Sequence, residues 1–201
     1  MLNMVNLLQK ILNAIFPLRE SQKLLAEGSR LRADPKGFSI NNLTGTCLLS
    51  YQDPLVNAAV KEAKFHCNQT AQAMLGTVLG EYIKNTLVKH DLIIPMPLSR
   101  KRRRERGHNQ VESLLKAAGM SFHGNILARE ERPPQSQLPR AERLSNVSNA
   151  FYVKPGSESY LRGARVLLVD DVSTTGATMA AARAALAKYH PASIDCLVLT
   201  H

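Results

Sequence analysis

Hydrophobic side chains recur along the first half of the chain at helical spacings that polar segments interrupt. Residues 1 to 16 place apolar side chains three and four apart, which predicts an amphipathic helix that stops at Pro17. These side chains are Leu2, Val5, Leu8, Leu12 and Ile15. Residues 17 to 46 are polar and broken by glycine and proline, which indicates irregular structure or a small decayed subdomain. Two helices are predicted next, one starting at Asp53-Pro54 as N-cap and first helical position, the other over residues 70 to 88.

In the second half of the chain, short apolar runs alternate with helical patterns. Residues 91 to 97 form an apolar run closed by two prolines, which predicts a buried strand that delivers a rigid loop. A helix is predicted over 109 to 118, and residues 129 to 149, with three prolines and several arginines, predict a long surface loop. The last quarter predicts a strand over 165 to 169, a turn over 170 to 177, a helix over 178 to 189 and a strand over 193 to 200.

Two strand–loop–helix units in a chain of this size predict an α/β domain. Its sheet should be mainly parallel and flanked by helices, with an N-terminal helical appendage. Ligands of such sheets bind beyond the carboxyl ends of the strands. The turn at 170 to 177 and the loop expected for the basic residues 100 to 106 should both lie there.

The composition indicates a soluble globular protein. With 201 residues and 44% hydrophobic content, the chain can form one substantial domain. No apolar run approaches the roughly 18 residues of a membrane span, and the N-terminus lacks the features of a signal peptide, so we expect a cytoplasmic protein. Cys47, Cys67 and Cys196 form no CxxC pair, which argues against a disulfide framework and against a zinc site.

The charge of the chain is concentrated in one segment. The net charge is +10, which favours binding to a polyanion such as nucleic acid, a nucleotide or a diphosphate. Arg100 to Arg106 reads RKRRRER, so six cations less one anion supply five of the ten excess charges. The alternative is a solvated charged face without a ligand.

The sequence RVLLVDDVSTTGAT, residues 165 to 178, places two carboxylates and a hydroxyl-rich turn after an apolar run. Asp170 and Asp171 can accept hydrogen bonds from two neighbouring ribose hydroxyls, and magnesium bound by the sugar would suit the same oxygens. The turn that follows combines hydroxyl donors, a glycine that can adopt positive φ, and the amides of a starting helix, which together form an anion site. Its residues are Ser173, Thr174, Thr175, Gly176, Ala177 and Thr178.

These groups fit a 5-phosphorylated ribose, with the phosphate in the turn and the ring hydroxyls on the aspartates. The alternative is an ordinary strand-to-helix turn whose Asp and Thr side chains cap the helix. Capping explains one such residue but not the whole series, so we favour the sugar-phosphate site.

The motif VLLVDDVSTTGAT is similar to the phosphoribosyl diphosphate binding motif of type I phosphoribosyltransferases. Residues 51 to 201 resemble one branch of them, the ComF family of competence and amidophosphoribosyltransferase-like proteins. The matching residues are 51 to 55, Lys64-Phe65, 94 to 99, Arg103, 106 to 110, Arg129, Gln135, Arg143, Asn146, Ala150-Phe151 and the motif itself.

The resemblance implies a type I phosphoribosyltransferase fold and a role for each matching motif. Asp170 and Asp171 would meet the ribose hydroxyls, with indirect contacts to magnesium, and residues 173 to 178 would wrap the 5-phosphate. Met96, Pro97, Leu98 and Ser99 would form the diphosphate loop. Cations and magnesium near the leaving diphosphate stabilise its developing charge, so Arg103 and Arg106 would belong to a mobile arm that closes over it.

The domain organisation departs from the family upstream of residue 51. Members often carry a four-cysteine zinc finger after an N-terminal helix that ends in Phe-Pro. This chain has Phe16-Pro17 and then LRESQKLLAEGSRLRADPKGF, without a cysteine, so the zinc finger looks lost. We therefore divide the chain into residues 1 to 50, a helix plus an irregular segment, and residues 51 to 201, the phosphoribosyltransferase-like domain.

Two functions from different classes fit these observations. The first is a magnesium-dependent enzyme that binds phosphoribosyl diphosphate and transfers the phosphoribosyl group to an unidentified acceptor. The second, which the ComF resemblance implies, is a non-catalytic cytoplasmic protein of DNA uptake in natural transformation. It would bind single-stranded DNA through Arg100 to Arg106 and act with other proteins of the uptake machinery.

Overall fold

The structure is a computed structural model that describes residues 18–28, 30–40, 43–130, 150–172 and 175–201. Its helices are α1 (Glu20–Glu27), α2 (Pro54–His66), α3 (Gln69–Asn85), α4 (Arg100–Arg106), α5 (Gln110–Ala117), α6 (Glu158–Leu161) and α7 (Ala177–Ala187). Its strands are β1 (Lys36–Ile40), β2 (Leu43–Leu49), β3 (Leu92–Pro95), β4 (Leu127–Arg129), β5 (Phe151–Val153), β6 (Arg165–Val172) and β7 (Ser193–Thr200). The predicted helix over 1 to 16 and most of the predicted loop over 129 to 149 lie outside the described residues.

Five strands form the main sheet in the order β1-β2-β7-β6-β3. The last four of these are mutually parallel, and β1 pairs with β2 as an antiparallel edge strand. A separate antiparallel pair consists of β4 and β5. The predicted α/β class with a mainly parallel sheet is therefore confirmed.

Apolar layers cover both faces of this sheet. In β6, Leu167 and Val169 join a core formed with α2, α3 and α5, while Val166 and Leu168 join a second core formed with α7 and the β4–β5 pair. A strand buried on both faces has a continuous apolar sequence, which is why VLLV precedes the two aspartates. None of the helices in the described ranges is long and apolar enough to cross a membrane.

The start of α2 follows the predicted capping. The Asp53 carboxylate accepts hydrogen bonds from the backbone N–H groups of Leu55, at 2.8 Å, and Val56, at 3.1 Å, and Pro54 occupies the first turn. These bonds satisfy amides that have no partner inside the helix. The cap fixes the point from which α2 runs along the sheet.

The prediction of irregular structure for residues 17 to 46 is wrong for the described residues, which contain α1, β1 and the start of β2. Gly45 is one reason for the error, because glycine argues against a strand interior. A Cβ at Gly45 would lie 2.6 Å from the Phe38 ring and 2.7 Å from the Cys196 carbonyl oxygen. Glycine is thus required by the close approach of neighbouring strands. The domain boundary at residue 51 stays a prediction.

Two further elements near the expected site differ from prediction. Strand β6 continues to Val172, so both aspartates belong to the strand and not to the turn. The basic run forms the helix α4 and not a loop. The Ser99 hydroxyl accepts a hydrogen bond from the Arg102 N–H at 3.3 Å, and Gly107, at φ 74°, ends the helix.

Candidate functional site

The candidate site lies where β3 and β6 end side by side. Pro95 is in register with Val169, and the Met96 N–H donates to the Val169 carbonyl at 2.8 Å. Because the two strands are parallel, their carboxyl ends lie at the same edge of the sheet. The loop after β3 therefore begins beside Asp170, as the sequence predicts.

Asp170 and Asp171 project to opposite faces of the sheet, as successive residues of a strand do. Asp170 follows the alternation of Leu168, toward α7 and the β4–β5 pair, while Asp171 follows that of Val169, toward α2. The Asp170 Oδ1 accepts from the Asp171 N–H at 2.9 Å, and the Asp171 Oδ1 accepts from the Val172 N–H at 2.9 Å. Each carboxylate thus has one oxygen committed to the backbone.

The second oxygen of Asp171, Oδ2, is buried and accepts no hydrogen bond from the part of the chain that the structure describes. The Lys64 Nζ lies 3.5 Å from it, which is an ion-pair distance without good hydrogen-bond geometry. Buried acceptors are nearly always satisfied in native proteins. This oxygen is therefore a candidate contact for a ligand hydroxyl or a cation.

Burial, followed by the neighbouring charge of Asp171, raises the pKa of Asp170 well above its ordinary value. The charge of Lys64 acts in the opposite direction but is a weaker influence. Burial and the charge of Asp171 therefore both disfavour the ionised form of Asp170. A ligand that donates hydrogen bonds to the carboxylate would favour its ionised form.

Arg129, at the end of β4, supplies a cation on the Asp170 side of the sheet. Its guanidinium lies 5.4 Å from the centre of the Phe151 ring. Burial, and then the nearby charge of Arg102, lowers the pKa of Arg129, while the charge of Asp170 raises it. Arg129 therefore lies within electrostatic range of both the basic helix and the aspartate pair.

Sequence reasoning did not assign Lys64 or Arg129 to the site. Both belong to motifs that match the ComF family, and this was the only signal for them. Neither residue lies near Asp170 and Asp171 in sequence, so sequence spacing could not connect them with the two aspartates.

The predicted diphosphate loop is held in place by Asn109. The Asn109 Nδ2–H donates to the Met96 carbonyl at 3.1 Å, while its Oδ1 accepts from the Val111 N–H at 3.0 Å at the start of α5. Asn109 is only 4% exposed, and the Met96 side chain is buried as well. Pro97, Leu98 and Ser99 are half-buried, and Ser99 is the N-cap of α4.

Arg103 and Arg106 have partners on neighbouring helices. The Arg103 Nη2 lies 3.8 Å from the Glu112 Oε2 of α5. The Arg106 guanidinium lies 5.6 Å from the ring centre of Phe65, at the end of α2. Their predicted contact with a diphosphate stays a prediction, and Arg102 is the arginine of α4 that interacts electrostatically with Arg129.

The predicted phosphate turn is described in part, since Ser173 and Thr174 lie outside the described residues. Thr175 is exposed, and Gly176 adopts a φ of 69°, which agrees with the expectation of positive φ. Gly176 is the N-cap of α7, which Ala177 and Thr178 begin, and as a glycine it has no side chain with which to cap the helix. The first-turn amides of α7 are suited to an anion.

The carboxylates also fit magnesium, which prefers oxygen ligands and is commonly held by one or two carboxylates together with substrate phosphates. Asp171 contributes the buried Oδ2 that accepts no described hydrogen bond. Within residues 18–28, 30–40, 43–130, 150–172 and 175–201, no group of three or more His, Cys, Asp or Glu side chains could hold a metal by itself. The residues fit a magnesium ion that arrives with an anionic ligand.

The fold and the paired carboxylates at its edge define an α/β domain of the phosphoribosyltransferase class. The family model of the phosphoribosyl transferase domain matches residues 92–201, and the chain belongs to this family. This match begins at β3 and includes β6, α7 and β7.

Proteins of the ComF branch are similar to this chain. Competence protein ComFC of Streptococcus pneumoniae (strain ATCC BAA-255 / R6) is 34% identical over 125 residues, covering 61% of this chain and 54% of the relative. ComFC of Bacillus subtilis (strain 168) is 35% identical over 112 residues, covering 55% of this chain and 45% of the relative. The predicted resemblance to ComF proteins is confirmed, and the chain spans about half the length of these curated relatives.

Among solved structures, the chain is similar to the glutamine phosphoribosylpyrophosphate amidotransferase from B. subtilis. The sequence identity is 14% and the TM-score is 0.45. The match covers 69% of this chain and 30% of the amidotransferase.

Proposed function

We propose that this protein binds phosphoribosyl diphosphate with magnesium and transfers the phosphoribosyl group to an acceptor that remains to be found. The observation that carries the proposal is the end of β6. Two carboxylates there have one oxygen each not committed to the backbone, and they lie beside the loop after β3 and before a helix whose N-cap is a glycine.

Each part of the site would then contact one part of the substrate. Asp170 and Asp171 would accept hydrogen bonds from the two ribose hydroxyls, and the amides at the start of α7 would bind the 5-phosphate. The loop of residues 96 to 99 would meet the diphosphate, with Arg129 and Arg102 contributing positive charge. Such charge accelerates transfer because it stabilises the leaving diphosphate more than the bound substrate. Magnesium held at the carboxylates would neutralise further negative charge.

Isothermal titration of phosphoribosyl diphosphate with magnesium tests this proposal. We expect saturable binding by the wild-type protein and its loss in the Asp170→Asn/Asp171→Asn variant. Asp34→Asn is the control, because Asp34 is exposed and its carboxylate pairs with Lys36. No binding at millimolar ligand, or equal binding by the double variant, would refute the assignment. Saturable binding would justify a screen for the acceptor.

Single-stranded DNA binding in the cytoplasm is the second candidate function, and the surface around α4 favours it. None of the residues of α4 is buried, and Phe65, which packs near Arg106, is 62% exposed. An exposed ring beside clustered arginines can stack a base while the arginines bind phosphates. The names of the two ComFC relatives support a role in competence, where partners from the DNA-uptake machinery would be expected.

Fluorescence anisotropy with a labelled single-stranded oligonucleotide tests this second function. Arg102→Ala/Arg103→Ala/Arg104→Ala should weaken binding and reduce its dependence on salt, because fewer counterions are released. The control carries an equal loss of charge at exposed lysines elsewhere, Lys23→Ala/Lys84→Ala/Lys89→Ala. Binding that both variants lose equally would indicate a general charge effect and not a site at α4.

A further inference from the structure

Lys64 is a cation built into the Asp171 side of the candidate site. It lies in the last turn of α2, and its side chain is only 21% exposed. The Asp171 side chain that it faces is 14% exposed. Lysine side chains are mostly exposed, so a lysine with so little exposed side chain and its Nζ 3.5 Å from a carboxylate oxygen indicates a specific electrostatic partner.

Asp171 is the electrostatic partner of Lys64, because the nearby carboxylate of α2 itself already accepts hydrogen bonds from other residues. Glu62 lies two residues before Lys64 and accepts two hydrogen bonds from the Arg19 guanidinium, each of 2.8 Å. It also accepts one from the Ser21 hydroxyl at 2.6 Å. The positive charge of Lys64 is thus directed to the aspartate pair.

We infer that Lys64 is a resident counter-cation of the aspartate pair, which supplies part of the positive charge that the site needs to accept an anionic sugar diphosphate. The inference rests on the proposed binding of phosphoribosyl diphosphate. Two adjacent carboxylates repel such a ligand unless cations offset their charge. Lys64 does this on the α2 side of the sheet, and magnesium adds to it.

This arrangement predicts that lysine and magnesium substitute for each other in part. When Lys64 is replaced by a neutral side chain, magnesium must supply more of the missing charge. The loss of affinity should therefore be large at low magnesium and small at high magnesium. A lysine that only stabilises the fold would cause a loss that does not depend on magnesium.

The test measures the affinity for phosphoribosyl diphosphate by titration calorimetry at sub-millimolar and at tens-of-millimolar magnesium. Potassium chloride keeps the ionic strength constant, since salt screens charges by itself. The variants are Lys64→Met and Lys64→Gln, with Lys64→Arg to restore the charge. Lys61→Met is the matched control, because Lys61 is an exposed lysine on the same helix. Circular dichroism verifies the fold of each.

At low magnesium we expect both neutral variants to bind about tenfold more weakly than the wild type, with the difference falling to about twofold at high magnesium. Lys64→Arg and Lys61→Met should stay within about twofold of the wild type throughout. An unchanged affinity, a loss that is constant over magnesium, or unfolding of both neutral variants overturns the inference. If the wild type itself shows no binding, the proposed function fails and the inference falls with it.

Discussion

Glu62 is a fully buried carboxylate of α2 that forms an ion pair with Arg19, the residue just before α1. The guanidinium of Arg19 donates to both carboxylate oxygens at 2.8 Å, and the Ser21 hydroxyl donates at 2.6 Å. These bonds attach α1 to the helix that carries Lys64. We expect Glu62→Gln to destabilise the protein, because the neutral amide cannot replace the charge-assisted pair.

The size of this effect follows from the pKa of Glu62. The hydrogen bond from Arg19, opposed by burial and assisted by Ser21, lowers this pKa from its ordinary value of 4.5 to about 2. At about 1.4 kcal/mol per pKa unit, the change from 4.5 to about 2 gives an upper limit of about 3–4 kcal/mol. Because Arg19 is 46% exposed, water screens part of the interaction, and we expect a loss of about 1–2 kcal/mol.

The pH dependence has a definite sign. A lowered pKa in the folded state means that the stabilisation is complete above the ordinary pKa of 4.5 and is lost as the pH falls toward 2. Urea unfolding of the wild type and of Glu62→Gln, at neutral pH and at about pH 3, measures this dependence. The difference in free energy of unfolding between the two proteins at about pH 3 should be less than half of its value at neutral pH.

Glu81→Gln is the control for this experiment. Glu81 pairs with Arg30, but their side chains are 53% and 60% exposed, so we expect a change below about 0.5 kcal/mol. If Glu62→Gln has no larger effect than Glu81→Gln, or if its effect is independent of pH, the reasoning about the buried pair is wrong.

Three further substitutions and one control test other contacts. Asp170→Asn should raise the free energy of unfolding at neutral pH, because burial and the charge of Asp171 disfavour an ionised carboxylate there; a lower free energy of unfolding in urea contradicts this. Gly76→Ala should lower the free energy of unfolding by about 1–3 kcal/mol, because the added Cβ would lie 2.8 Å from the Ala117 Cβ. Gly37→Ala, with no atom within 4 Å of its Cβ, should change the same measurement by under about 0.5 kcal/mol. Asn109→Ser keeps an N-cap hydroxyl but loses the donor to the Met96 carbonyl, so calorimetry should show about three- to tenfold weaker phosphoribosyl diphosphate binding; unchanged affinity contradicts the positioning role.

The elements closest to the site were the most predictable from sequence. The strand predicted over 193 to 200 is observed as Ser193–Thr200, and the helix predicted over 178 to 189 as Ala177–Ala187. A continuous apolar run followed by a glycine turn and a helical repeat is a local pattern, so its signal needs no distant residue. The prediction ended the strand β6 at residue 169, whereas the observed strand continues to Val172. Aspartates are unfavourable in most strands, and a ligand site is an exception.

The strands β1 and β2 were not predictable in the same way. Their sequences, KGFSI and LTGTCLL, contain glycines and polar residues that normally indicate loops. They become strands because β2 pairs with β7, which lies about 150 residues later in the chain. Pairing with a distant strand decides such segments, and a local pattern does not contain that information.

The chemistry of the candidate site could be predicted from local sequence. The adjacent carboxylates, the glycine at positive φ and the basic run are all local features, whose meaning depends on neighbouring residues. Which cation faces which carboxylate depends on how distant segments of the chain pack together. Lys64 reaches Asp171 from α2 and Arg129 approaches Asp170 from β4, because the strand directs the two aspartates to opposite faces, where helices and strands from distant parts of the chain pack.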